Sequence, residues 1–513
     1  MAKHIKNLKL GMDEDLEEKL RILDPHFSHY RILKKSVDAR TKQKMHWVYS
    51  VELFDDNETP EPLFELPDSI ETDKRPIIIG TGPAGLFAAI RLVERGVACD
   101  LFERGSTCEK RILAINKFWR YGQMNEEDNV CFGEGGAGLY SDGKLITRIK
   151  SPHISYVMKR LVDFGAPKEV EYLANPHIGS NKIRRLIPKM REFLIQKGCK
   201  IHFNTKVTEL LYENKQVIGV KTHDNQSYHS PFVVLATGHS AEDMFHHLKN
   251  NEVEMEGKSF ALGLRVEHPQ HWVNKTQYRE HSEHPELGAA NYKLAYHNKQ
   301  EDVGVYSFCM CPGGYVLSSG TEKNGIVSNG MSNFNRGSKY ANAAIVVSVD
   351  HEKHFGENIF GGLDFRRELE TKAFDNVTNE GGGHKMPAQN MMDFLLARRT
   401  KSELKGSSPS GLHSSRLDQL FSSKLYLHLV EAFERFQKKM DGFISPHATL
   451  YGVETRTSCP VRITRDKSTL ESTSHGGLYP CGEGAGFAGG ITSAACDGIR
   501  VADSIVENLK SSH

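Results

Sequence analysis

No apolar run in this chain reaches the ~18 residues a membrane-spanning helix needs, so no membrane partner is expected. The first residues, M-A-K-H-I-K-N-L-K-L, lack the apolar core of a secretion signal. An excess of one charge is also missing. The 66 Lys+Arg stand against 65 Asp+Glu, which removes the overall electrostatic case for a nucleic-acid or membrane-surface partner. Cysteines number only nine in 513 residues, an odd count without disulfide-framework spacing, and fit free thiols in a reducing cytoplasm, the expected location. No H-E-x-x-H and no second cysteine pair at metal-site spacing occur, so no metal site is expected. His246, His247, His268, His271 and His281 read as surface or structural residues. Internal repeats and low-complexity tracts are absent. The length allows two or three domains with well-buried cores.

What is present is concentrated first in residues 76–104. The apolar run Ile77–Ile79 ends at Gly80 and opens a G-x-G-x-x-G at Gly80, Gly82 and Gly85, with Pro83 and Ala84 between the last two. A helical pattern with Leu86, Ala89, Ile90 and Val93 follows. A second apolar run, Val97–Phe102, ends on Glu103. Strand, glycine turn, helix, strand and terminal acid stand at the spacing a dinucleotide needs. Gly80 allows the tight turn, Gly82 admits a pyrophosphate, and Gly85 lets helix and strand pack closely. The helix N-terminus offers free N–H groups and partial positive charge to phosphate. Glu103 is placed to accept hydrogen bonds from a ribose diol. The basic residues that follow, Arg104 and Arg111 among them, are candidates to reach phosphate.

A second concentration lies at 129–145, N-V-C-F-G-E-G-G-A-G-L-Y-S-D-G-K-L. Four glycines between Gly133 and Gly138 are too many for helix or strand filler. Such a loop lets backbone approach a ligand and present several N–H groups at once. Gly135, Gly136, Ala137, Gly138, Ser141 and Asp142 are therefore cofactor candidates. Lys144, just beyond, is a candidate catalytic cation. Cys309 and Cys311, one residue apart, would share a face on a strand. Beside Pro312-Gly313-Gly314 they read as small packing residues.

Two further segments identify the dinucleotide by resemblance. P-F-V-V-L-A-T-G at 231–238 and G-G-L-Y-P-C-G-E-G-A-G-F-A-G-G-I at 476–491, with the 76–104 segment, resemble the FAD domain of glutathione-reductase-like flavoproteins. The resemblance implies FAD contacts at Ala236, Thr237 and Gly238, with Val207 at the start of a preceding strand. It implies flavin-side contacts at Gly482, Glu483, Gly489, Gly490 and Ile491. Gly482-Glu483 stands where that family has Gly-Asp. No second G-x-G-x-x-G follows a strand, so a separate NAD(P) domain is not expected, and NAD(P) enters only as a transient electron donor.

More specific strings are G-E-G-G-A-G-L-Y-S-D-G-K-L at 133–145, P-H-I-G-S-N-K-I at 176–183 and A-T-G-H-S-A-E-D at 236–243. F-A-L-G-L-R-V-E-H-P-Q at 260–270, S-F-C-M-C-P-G-G at 307–314, N-G-M-S at 329–332 and E-T-R-T-S-C-P-V-R-I at 454–463 join them. Together they resemble a bacterial family of largely uncharacterised FAD-dependent dehydrogenases over nearly the whole chain. This chain has Glu242 where that family commonly has Arg, and S-N-K-I where T-D-K-L is usual. The resemblance implies an oxidoreductase with non-covalent FAD and a small-molecule substrate. Arg456, in E-T-R-T-S, is a candidate to bind an anionic substrate group or the reduced flavin; the structural alternative pairs it with Glu454.

The expected fold is α/β (α+β overall): a glutathione-reductase-like FAD-binding Rossmann domain, an inserted mixed α+β substrate or cap domain, and a small N-terminal β-α-β-β module. The expected boundaries are 1–70 for the module, 71–245 for the first part of the FAD domain, 246–447 for the insert and 448–513 for the returning FAD part. Residues 207–213, 217–221 and 232–235 read as a meander leading into A-T-G. The module carries Arg31, Lys34, Lys35, Arg40, Lys42 and Lys44 against Asp38. That stripe is the sole local support for an alternative role in RNA binding or modification. A third possibility is a redox-sensing protein without turnover.

Overall fold

The computed structural model describes residues 3–39, 45–66 and 68–511. Its organising element is a parallel sheet of five strands in the order Leu478–Pro480, Val233–Leu235, Ile77–Ile79, Asp100–Phe102 and Lys200–His202. The central strands are short and apolar throughout, as strands covered on both faces must be. This explains why Val233–Leu235 does not close the meander. That antiparallel sheet takes Ser227–His229 as its third strand, beside Val207–Glu213 and Gln216–Thr222. The three buried residues of 233–235 go where both faces are covered.

Helix Pro83–Glu94 follows the glycine turn and packs on the C-terminal helix Ile491–Ser511. Glycines set two close approaches, one of the helix to its own turn and one between the two helices. A Cβ at Gly85 would lie 2.0 Å from the Gly80 carbonyl oxygen, and one at Gly498 would lie 2.1 Å from that of Ala84. Arg91 and Arg95 clamp the pair by donating to Asp503 at 2.8–3.0 Å. Helices more than 400 positions apart in sequence are thereby brought side by side.

A second sheet of seven strands runs Ala295–Asn298, Val303–Cys311, Tyr340–Val349, Phe260–Pro269, Thr449–Glu454, Met386–Asn390 and Leu412–Ser414. The amphipathic helix Ser423–Lys439 packs on it through Leu429, Phe433 and Phe436, all fully buried. The expected boundary at 448 falls just before one of these strands. Thr449–Glu454 is buried at every residue and pairs with Phe260–Pro269, so the chain rejoins the parallel sheet only after Glu454.

The N-terminal residues form strand Lys3–Leu10, helix Leu16–Leu23 and strands His29–Asp38 and His46–Phe54, in sheet order first–third–second. Asp15 caps the helix by accepting from the Glu18 N–H. Leu20, Phe27, Trp47, Val51 and Leu53 make a separate small core. A two-bond bridge docks this sheet on the body: Lys35 N donates to Tyr172 O, and Ala174 N to Lys35 O. Arg31 is neutralised by Glu52 and Lys35 by Glu286. Arg40, Lys42 and Lys44 lie outside the described residues.

Candidate functional site

The residues that follow four of the parallel strands are Gly80, Glu103, Ala236 and Cys481, and all four line one cavity of about 380 Å³. This is the carboxyl edge of the sheet, where open α/β sheets bind ligands. The first residues of two helices reach the same cavity: Gly82, Pro83 and Ala84 from one side, Gly489, Gly490 and Ile491 from the other. Their N-terminal dipoles converge on a single space.

The glycine loop forms a third wall with Gly136, Ala137, Gly138, Ser141 and Asp142, and Lys144 continues it. Arg104, Val207, Thr237, Gly238, Glu483 and Arg456 line it as well. Four of the expected residues stand behind the wall. Gly85 serves helix packing, and Gly135 donates its N–H to Thr81 O. The Gly482 N–H donates to Asp497, which is held in turn by Arg465.

Arg111 is the fourth, and its placement inverts the expectation. Fully buried, it donates to the carbonyls of Asn129, Val130, Gly133, Glu134 and Gly136 at 2.7–3.2 Å. Its charge is spent inside the loop. It ties the loop's carbonyls inward instead of reaching a phosphate.

Glu103 is similarly committed. One carboxylate oxygen accepts from the N–H and hydroxyl of Thr81, and the other from the N–H groups of Gly105 and Gly133. It joins the glycine turn to the glycine loop while facing the cavity. Arg104 is paired with Glu127 and Asp243, which Lys206 also bridges. Asp142 is held by Arg336. Ser141 donates to Gly138 O and accepts from Gly143 N.

The far wall comes from the seven-stranded sheet and its hairpin: Phe308, Cys309, Asn329, Glu454 and Arg456. Arg456 does not pair with Glu454, whose carboxylate is taken by Arg265. It forms a two-point pair with Glu370, 86 positions upstream, and donates also to Ser240 and Thr321. Burial raises the Glu370 pKa, but Arg456, Arg366 and Thr455 outweigh it and hold the carboxyl at about 2. Burial, with the charges of Arg366 and Arg456, holds His239 down at about 3, so this wall histidine is neutral. Lys144 donates to the carbonyl of Met310.

Cys309, expected to be a packing residue, borders the cavity, while Cys311 is fully buried as expected. Lys206, His239 and Cys309 were not expected to line the site, although His239 and Cys309 lie within the strings at 236–243 and 307–314. Lys206 stands next to Val207.

The Glu483 carbonyl accepts from the Gly486 N–H, but its carboxylate accepts no hydrogen bond among the described residues, and burial pushes that carboxyl up to about 7 from an ordinary 4.5. A raised acid favours the fold while protonated. Its contribution is fully present below about 4.5 and is lost as pH rises through about 7. FAD-free protein is therefore expected to lose stability across that window. Glu483→Gln should flatten the dependence in urea denaturation at a series of pH values. An equally steep fall in the variant would assign the effect to another group.

The cavity fits a dinucleotide. At Gly82, φ −74°, an added Cβ would meet only the Gly136 Cα at 3.8 Å; at Gly238 and Gly489 it would meet nothing within 4 Å. These glycines leave open the volume that side chains would fill.

A glycine-turned parallel sheet, two helix N-termini and a backbone loop around one cavity define a dinucleotide-binding protein of the flavoprotein type. Family models match as FAD dependent oxidoreductase over residues 174–292 and FAD-dependent protein, C-terminal domain-like, over 259–457. A domain of unknown function matches residues 11–54. An uncharacterized protein of Clostridium beijerinckii is 39% identical over 534 residues, covering 99% of each chain. The chain belongs to this bacterial family of FAD-dependent proteins, and at a coarse level it is an FAD-dependent oxidoreductase. Among solved structures, the flavin-dependent brominase Bmp2 is 11% identical with a TM-score of 0.39, covering 85% of this chain and 79% of its own. Glycine oxidase from Bacillus cereus is 13% identical with a TM-score of 0.32, covering 85% and 96%. At such scores these two likenesses carry no argument. No helix among the described residues is long and apolar enough to cross a membrane.

Proposed function

We propose that the cavity holds one non-covalent FAD and that the protein is a dehydrogenase acting on a small organic substrate. The observation that carries this is the convergence of four strand ends and two helix N-termini on one cavity. Gly80, Gly82, Pro83, Ala84 and the Gly136–Gly138 backbone would take the pyrophosphate, and Glu103 the ribose. Thr237, Gly238, Glu483 and the start of the C-terminal helix would take the flavin half. FAD, when bound, supplies two-electron redox chemistry.

The chain's own residues do the remainder. Lys144 and Arg456 bring positive charge to the wall opposite the glycine turn, where an anionic substrate group would be held. His239, held neutral, orients Ser240 through a 2.9 Å contact, and Ser240 in turn accepts from Arg456. The seven-stranded sheet excludes water from that side. NAD(P) would act as a transient donor, entering without a nucleotide domain of its own.

Lys144→Met is the cleaner test of the two cations, because Arg456→Met would strip buried Glu370 of its two-point partner. It should keep full FAD content and slow flavin reduction by about tenfold, the loss of ~1.4 kcal/mol of transition-state stabilisation. Stopped-flow reduction at the parental rate would make Lys144 structural.

The division into a glutathione-reductase-like domain, an insert and an N-terminal module is part of the same proposal. The insert is extended to Glu454 by the strand pairing above. Asp68 O accepts from Arg95, and Ile70 N donates to Arg95 O, so the body begins at about Asp68. A chain shortened to begin there should purify with FAD. Soluble, folded protein without FAD would sink the boundary.

A further inference from the structure

Two thiols that this reading leaves unused meet at the cavity wall. Cys309 borders the cavity, and Cys311 lies directly behind it, fully buried, its Sγ donating to the Cys309 carbonyl at 3.3 Å. The strand is irregular here. Its register against Tyr340–Val349 slips between Phe308 and Cys311, and Cys309 has φ +42°, a left-handed conformation that non-glycine residues adopt only where the surroundings hold them. Arg265 donates to the Cys309 carbonyl and Lys144 to that of Met310, which supplies the hold. Cα atoms two residues apart lie within about 7.2 Å even in a fully extended chain, and the kink at Cys309 shortens that distance into the span a disulfide bridges.

The two thiols differ in character. The Cys311 side chain, then the charges of Arg265 and Lys144, draws Cys309 down to about 6. Cys311, bonded to Cys309 and buried, moves up. One sulfur is poised as thiolate on the cavity side and the other as thiol behind it.

We propose that Cys309 and Cys311 are a redox-active pair that cycles between dithiol and disulfide by exchanging two electrons with FAD in this cavity. The proposal rests on the reading that FAD occupies the cavity. In the oxidising direction an S–S bond forms between the Cys309 thiolate and Cys311, and the Cys311 S–H bond breaks. Its proton and two electrons pass to FAD, which is reduced as the pair is oxidised. The reverse reaction restores both thiols. Cys99 and Cys199 also meet, with sulfurs 3.4 Å apart, but neither borders the cavity.

The test is an anaerobic dithionite titration of air-oxidised holoprotein, with bound FAD counted from its visible band. The parent should consume about two equivalents per FAD, Cys309→Ser and Cys311→Ser about one, and Cys99→Ser about two, each equivalent carrying two electrons. Peptide mapping of the unmutated protein gives an independent readout. The segment containing both cysteines should resist N-ethylmaleimide before reduction and take two labels afterwards. A parent that holds full FAD yet consumes one equivalent, or whose oxidised form labels at both cysteines, overturns the pair and leaves the FAD reading standing. Loss of the second equivalent in Cys99→Ser alone would move the couple to Cys99–Cys199 and likewise overturn it. Failure of the FAD reading has a separate signature: FAD retained when the Gly82 space is filled.

Discussion

Gly82→Val is expected to fold and to purify without colour. Gly82 has ordinary negative φ, and an added Cβ meets only one atom within 4 Å, so valine requires no backbone shift. The cost to the fold is confined to the N-cap of helix Pro83–Glu94, about 1 kcal/mol by analogy with other caps. The isopropyl group, however, enters the space where the pyrophosphate would lie. Overpacking at the centre of the site should raise the Kd for FAD at least about a thousandfold, ~4 kcal/mol. Circular dichroism should match the parent, while the visible flavin band is lost and is not restored by added FAD. A variant with full flavin content would refute the assignment of this cavity.

Arg111→Met should damage the same site from behind. Methionine fills much of the volume but offers none of the guanidinium N–H groups that hold five of the loop's carbonyls. Leaving buried carbonyls unpaired costs about 1–3 kcal/mol each before relaxation, so a net loss of about 3–5 kcal/mol is expected after the loop rearranges. Urea denaturation of the FAD-free protein measures this directly. The rearranged loop should also release FAD. A midpoint within about 0.5 kcal/mol of the parent would show that the loop holds its shape without Arg111.

The two variants mark what was and was not legible beforehand. The turn at Gly80–Gly85 could be read because its glycines, its flanking apolar runs and Glu103 are local, and their spacings follow from strand and helix geometry. The N-terminal strands and the helix with Phe433 and Phe436 were legible through periodicity for the same reason. Arg111 was visible only as a positive charge near a glycine loop. Its carbonyl partners lie 18–25 positions away, and nothing in the spacing says they face inward. Arg456 has a closer acid in Glu454, yet the seven-stranded sheet gives Glu454 to Arg265 and brings Glu370 in from a distant helix. That Cys309 and Cys311 would share a face followed from strand alternation, which assumes a regular pleat, and the pleat fails at Cys309. That Thr449–Glu454 pairs with Phe260–Pro269 was hidden because a strand buried on both faces looks the same in either sheet.

The last piece of the cavity wall to be synthesised is the segment around Ile491, while the first contact surface, at Gly80, appears some 400 residues earlier. At about 5–20 residues per second, roughly 20–80 s separate the two on the ribosome. Throughout that interval the apolar face of helix Pro83–Glu94 waits for the C-terminal helix and its Asp503 clamp, and strand Val233–Leu235, once made, waits for Leu478–Pro480. A nascent chain therefore cannot close around its cofactor. Loading belongs to the finished polypeptide, and the unfinished one is the form most exposed to aggregation and to the attention of chaperones.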